Sequence, residues 1–125
     1  MRAQANWNWN GQPSDSRFTV LPIPKFLMLA KFETYQLSLE LYRECQKLTL
    51  PHHLKDQLSR ASLSICLNLA EGSAKPSIKE KRRFYAIAFG SCREVQTVIE
   101  LEKESTHEIF SIADQVAAHL YRLCR

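Results

Sequence analysis

From Met28 to the C-terminus only two glycines, Gly72 and Gly90, and two prolines, Pro51 and Pro76, interrupt the chain. Sandwiches and barrels need a turn about every ten residues, and Gly and Pro supply most of the backbone geometries those turns require. So few breakers leave long helices as the remaining solution. The full length of 125 residues corresponds to one domain. A chain of this size buries roughly two-thirds of the surface it exposes when unfolded, enough for one modest core and too little for a deep substrate cavity. With 45% hydrophobic and 24% charged residues it matches neither a disordered chain nor a membrane protein. No stretch reaches the roughly 18 apolar residues of a membrane span, and the polar, Asn-rich N-terminus does not read as a signal peptide.

The helices can be placed by their apolar period. Phe32, Tyr35, Leu39 and Tyr42 recur at three- and four-residue steps, with Leu37, Leu41, Cys45 and Leu48 on an adjoining stripe, which predicts a first helix from Lys31 to about Lys47. Pro51 suits the opening turn of a second helix, where its missing N–H has no partner to lose. Leu54, Leu58, Ala61, Ile65 and Leu69 form the inner face of that helix, and Gly72 is expected to end it in a left-handed conformation. Ser77 and Glu80 make a capping box that opens a third helix, with Phe84, Ile87, Ala88, Ser91, Val95, Val98 and Ile99 facing inward to about Lys103. A second box, Ser105 to Glu108, opens a fourth helix carrying Ile109, Ile112, Val116, Leu120 and Leu123. Short turns between such helices predict an all-α, up-down-up-down antiparallel four-helix bundle spanning residues 28–125.

Residues 1–27 differ in kind. They hold Trp7 and Trp9, three of the five prolines and no helical period, so they read as a disordered or non-native N-terminal extension. Either Met28 is the biological start, or the segment is a genuine flexible arm.

Two helices carry more apolar surface than one core needs. On the second, Leu63, Cys66, Leu67 and Ala70 lie roughly opposite Leu54, Ala61 and Ile65. On the third, Tyr85, Phe89 and Cys92 sit about 100° from the Phe84/Ile87/Val95 stripe. Leu63, Leu67, Phe89 and Cys92 are therefore expected at a homo-oligomer interface, the alternative being a monomer with an untidy surface.

Little in the chain suggests catalysis. His52 and His53 diverge by about 100° on a helix, and His107 and His119 have no carboxylate at ligand spacing, so no metal site is expected and the histidines read as solvated helix-end residues. Cys45, Cys66, Cys92 and Cys124 are widely spaced, which reads as unpaired thiols in a reducing cytoplasm. No phosphate loop, nucleophile elbow or zinc-protease motif is present. Neither an enzyme nor a cofactor is expected.

Charge is the informative feature. Residues 75–93 carry six cations, Lys75, Lys79, Lys81, Arg82, Arg83 and Arg93, against the single acid Glu80, while residues 94–114 carry six acids against Lys103. Helix N-termini prefer anions, so the third helix bears its cations at the end that repels them, at roughly 0.3–1 kcal/mol each. On a wheel, Lys79, Arg82, Arg83 and Arg93 share an edge with the small residues Ala86, Gly90 and Thr97, which lets a phosphate backbone approach. Tyr85 lies close enough to stack on an unpaired base. Lys75, Lys79, Arg82, Arg83, Arg93 and Tyr85 are thus the candidate nucleic-acid contacts. The alternatives are a basic half docking on the acidic half of a second copy, and a merely solvated face. A polar edge on the second helix, Gln57, Ser64, Asn68 and Glu71, reads as a structural hydrogen-bonding network, or as part of a functional surface around the loop from Glu71 to Pro76.

The segments Phe32-Glu33-Thr34-Tyr35-Gln36, Leu50-Pro51, Gln57 to Ile65, Asn68-Leu69-Ala70-Glu71-Gly72 and Arg83 to Glu94 resemble the bacterial four-helix bundle proteins encoded in intervening sequences of 23S ribosomal RNA genes. The resemblance covers about residues 31–123, with the Asn-x-x-Glu-Gly turn and the Ala-x-Gly-Ser-x-x-Glu run as its more specific parts. It implies an up-down bundle assembled as a homopentameric ring, with no established catalytic residues. It also implies a looser kinship with the accessory proteins of diversity-generating retroelements, which bind nucleic acid and a reverse transcriptase through a basic surface; the strongly basic C-terminal tail of some of those proteins is absent here. Members of the resembled family usually begin just before the Phe-Glu-x-Tyr segment, consistent with a start at Met28. The expectation is a cytoplasmic, non-enzymatic bundle that contacts the phosphate backbone of structured RNA or an RNA/DNA intermediate. The alternative is a protein-interaction scaffold that oligomerises through its charged halves and recruits a partner enzyme.

Overall fold

The computed structural model describes residues 29–102 and 107–125. Four helices account for most of them: α1 (Glu33–Lys47), α2 (His52–Ser73), α3 (Ile78–Leu101) and α4 (His107–Leu123). No strand occurs among the described residues. The N-terminal extension and the second capping residue, Ser105, lie outside them.

The helix starts follow local chemistry. The Pro51 carbonyl accepts from the Leu54 and Lys55 amides at 3.0 and 2.9 Å, so proline stands at the N-cap itself, one place ahead of its expected position. Ser77 caps α3 as expected. Its Oγ accepts from the Glu80 amide at 3.2 Å and donates to the Glu80 carboxylate at 3.2 Å.

Gly72 does not end α2. The helix runs on to Ser73 and closes at Ala74 in the right-handed region. Gly72 is buried because α3 crosses there: a Cβ in its place would stand 2.8 Å from the Tyr85 ring and 2.9 Å from the Phe84 Cβ. Contact between helices, and not backbone handedness, requires glycine at this point.

One core fills the space between the helices, with Leu41, Leu58, Ile65, Leu69, Val95, Ile99, Ile109, Val116 and Leu120 fully enclosed. α2 and α3 share the most extensive contact; α1 packs on α2, α3 on α4, and α1 also meets α4. Two inner faces differ in part from expectation: Leu41 and Cys45 on α1 and Ala88, Ser91, Val95, Val98 and Ile99 on α3 are buried as expected, and their neighbours are exchanged. On α1 the buried line is Thr34, Ser38, Leu41 and Cys45, with Phe32 and Tyr35 at the rim. Its small polar members admit close approach and satisfy their own hydroxyls. Ser38 donates to the Tyr35 carbonyl at 2.7 Å, and Thr34 meets His119 Nδ1 at 3.1 Å. On α3 the line is Tyr85, Ala88, Ser91, Cys92, Val95, Val98 and Ile99, while Phe84 is half-buried and Ile87 faces solvent. Every buried side-chain nitrogen and oxygen among the described residues has a hydrogen-bond partner, as a stable interior requires.

Candidate nucleic-acid interface

The turn before α3 and the helix as far as Arg93 carry a set of cations whose members are engaged to different degrees. Lys81 is tied into the fold, its Nζ donating to the Ser73 carbonyl at 2.8 Å. Lys75 sits 3.9 Å from Glu71 and 5.0 Å from the centre of the Phe84 ring, on which Arg83 also rests at 6.0 Å. Arg93 donates to Gln96 at 2.9 Å and lies 4.9 Å from the Phe89 ring centre. Lys79 and Arg82 are exposed, with no hydrogen bond or ion pair among the described residues. Glu80 is the single acid in that first turn, so the cations outnumber it at the positive end of the helix dipole.

Two expected site residues are displaced. Tyr85 is only 8% exposed. Its ring meets Phe32 edge-on at 6.1 Å and abuts Gly72, and burial raises its phenol pKa. It offers no open face to a base. Cys92, expected at an oligomer interface, is wholly enclosed by its own chain, with Sγ 3.6 Å from the Ala113 carbonyl. Both follow from the turn of the α3 inner face. Leu63 and Leu67 do face solvent, at 43% and 57% exposure, whereas Phe89 is half-buried and tilted against Tyr121, with ring centres 6.5 Å apart.

The polar edge of α2 divides. Ser64 Oγ meets Ser91 Oγ at 2.8 Å, and Asn68 Nδ2 donates to the Ser64 carbonyl and hydroxyl at 2.8 and 3.1 Å, making a compact hydroxyl and amide seam between α2 and α3. Gln57 stands apart and donates to Glu94 at 2.9 Å. Glu71 faces Lys75.

Elsewhere the chemistry is quiet. Burial pushes the Cys45 and Cys92 thiols up to about 12 and raises those of Cys66 and Cys124, so none is a ready nucleophile near neutral pH. His52, His53 and His107 are exposed; His119 departs from the expected solvated state through its bond to Thr34. No group of three or more His, Cys, Asp or Glu among the described residues is placed to hold a metal. No helix among them is long and apolar enough to cross a membrane. A cleft of about 360 Å³ between α3 and α4 is lined by Arg93, Thr97, Glu100 and Phe110, with Gln96 donating to Asp114 at 2.9 Å.

One feature escaped the sequence reading. Phe89–Arg93 on α3 and Tyr121–Arg125 are both ring-and-arginine pairs four residues apart; the first lies within one helix, where that spacing puts the second side chain over the first, and the second joins Tyr121 of α4 to Arg125, two residues past the helix end. The repeated spacing was visible in the sequence; that the two pairs meet was not.

No curated protein matches the chain. The family model described as 23S rRNA-intervening sequence protein matches residues 30–124, which takes in all four helices and the turns between them. The chain therefore belongs to the 23S rRNA-intervening sequence protein family.

Proposed function

We propose that this protein is a non-enzymatic RNA-binding bundle whose α3 edge grips the phosphate backbone of structured RNA or of an RNA/DNA intermediate. The observation that carries the reading is the pair Lys79 and Arg82, exposed and without a partner among the described residues, at the helix end that disfavours them. Arg83 and Lys75 flank the pair, both against the Phe84 ring; Lys75 is also 3.9 Å from the Glu71 carboxylate, while Arg83 has no carboxylate partner among the described residues. Arginine forks match phosphate oxygens, and a repeated phosphate chain fits a row of cations better than a single small anion does. The link to ribosomal RNA genes in the family's name favours RNA over other polyanions.

In this proposal the helices run up-down-up-down and copies form a homopentameric ring in the cytoplasm, joined through Leu63 and Leu67, so that the cations recur around the ring. The double charge reversal Arg82→Glu/Arg83→Glu tests it. A labelled structured RNA should bind to the wild type with an affinity that falls steeply with salt. The variant should bind on the order of a hundredfold more weakly, with a salt slope smaller by about two, while light scattering shows the same assembly. If the assembly dissociates instead, those arginines join subunits, and a scaffold that recruits a partner protein is the better account.

A further inference from the structure

We propose that the Phe89–Tyr121 pair, with the arginines that flank it, is a stacking platform for unpaired bases of single-stranded RNA. This deepens the proposed function and rests on it. Phe89 of α3 and Tyr121 of α4 lie with ring centres 6.5 Å apart. The Arg93 guanidinium sits 4.9 Å from the centre of the first ring and the Arg125 guanidinium 4.2 Å from that of the second. The four groups make consecutive contacts, cation to ring to ring to cation, from α3 to the segment that ends α4. Tyr121 is 49% exposed and Phe89 is half-buried, so Tyr121 is the more open of the two rings.

Two other occupants are less well matched. An apolar partner would have to desolvate two guanidinium groups, which is costly unless it brings anions. A small anion would use the cations and leave the rings idle. A nucleic-acid strand uses both, because each of its units joins a flat π-face to a negative phosphate. An arginine close to a ring keeps N–H donors in the plane of its guanidinium that can reach phosphate oxygens.

The platform also continues the basic edge. Phe89 stands seven residues beyond Arg82, two helical turns and so about 10 Å along α3. Between them Ala86 is exposed, and Gly90, one residue past Phe89, is exposed too, with open space around a Cβ built on it. Duplex RNA hides its base faces, so cations alone can hold it at Lys79 and Arg82; a strand leaving the duplex exposes bases where the rings stand.

The test uses the full chain with a labelled ten-nucleotide oligouridine and a labelled RNA duplex of equal charge. Tyr121→Leu keeps apolar bulk and removes the aromatic face. It should weaken oligouridine binding by about tenfold, leave duplex binding within about twofold, and leave the salt slope unchanged. Phe89→Leu should act in the same direction, with the thermal midpoint checking its fold. Undiminished oligouridine binding by Tyr121→Leu overturns the proposal, as does an equal loss on duplex. A change in oligomeric state with both affinities intact also overturns it, and assigns the rings to a subunit interface. If the wild type binds neither RNA, the proposed function itself fails. If both RNAs bind and respond only to Arg82→Glu/Arg83→Glu, the platform alone is wrong.

Discussion

The turns on either side of α2 are closed by the same device and left with different amounts of charge. In each, the lysine four residues after the N-cap of the following helix reaches back to the exposed carbonyls of the preceding one. Lys55, four beyond Pro51, donates to the carbonyls of Cys45, Gln46 and Leu48 at 3.2, 2.6 and 2.8 Å. Lys81, four beyond Ser77, donates to the Ser73 carbonyl alone. Around the first turn Lys47 is paired with Glu44 at 2.7 Å and Arg60 with Asp56 at 3.5 Å. Around the second, once Lys81 is placed, Lys79 and Arg82 are left over. Folding thus pairs Lys47, Lys55 and Arg60 near the first turn and leaves Arg43 without an ion pair there among the described residues, whereas near the second it leaves Lys79 and Arg82 together at a helix N-terminus.

The comparison is most severely strained at the glycine beside the second turn. Gly72→Ala should cost about 1–3 kcal/mol, because the new methyl meets Tyr85 and Phe84 inside 3 Å and α3 must shift. The melting temperature should fall by roughly 4–8 °C per kcal/mol. Gly90→Ala, on open surface, should raise it slightly, since alanine is the better helix former by up to about 1 kcal/mol. Equal effects of the two substitutions would mean that α2 and α3 do not touch as closely as described.

Lysine replacement separates the turns next. Lys55→Met removes three bonds to carbonyls and should destabilise by about 2 kcal/mol, whereas Lys81→Met removes one and should cost about 1 kcal/mol in urea unfolding. The reverse order would make the second turn the more tightly closed.

Alkali discriminates as well, because Cys45 lies at the end of α1 and no cysteine lies in the second turn. Unfolded thiols ionise near 9.0, while burial holds native Cys45 and Cys92 at about 12. The unfolded chain therefore loses protons first, and stability, fully present below pH 9, should decline between pH 9 and 12. The loss is about 1 kcal/mol per thiol at pH 10. Cys45→Ala and Cys92→Ala should each flatten that decline, measured as the urea midpoint against pH.

Much of the fold was legible in the sequence because its signals are local. Ser77 with Glu80, Pro51 before an amphipathic run, and apolar residues at helical spacing act within a few residues of themselves, and the expected helix ends fall close to those observed. What could not be read was rotation. On α1 the stripe led by Phe32 and Tyr35 carries more apolar surface, yet the core takes Thr34 and Ser38, whose value lies in small size and in bonds that only His119 and the Tyr35 carbonyl reveal. Tyr85 and Phe84 both lie against Gly72 of another helix, and only Tyr85 is buried there, a choice that no local signal of α3 reveals. The same hidden choice placed Cys92 inside. The cation edge was legible as charge; which cations remain available was not, since Lys81 is engaged only because Ser73 ends α2 beside it.

The contact of Ser64 with Ser91, braced by Asn68, has a consequence for aim. A slip of α3 by one residue would turn it about 100° on its axis, breaking that contact and swinging Arg82 away from its present heading. Three uncharged side chains thus act as a detent, and the bearing of the arginines depends on residues that no ligand would ever touch.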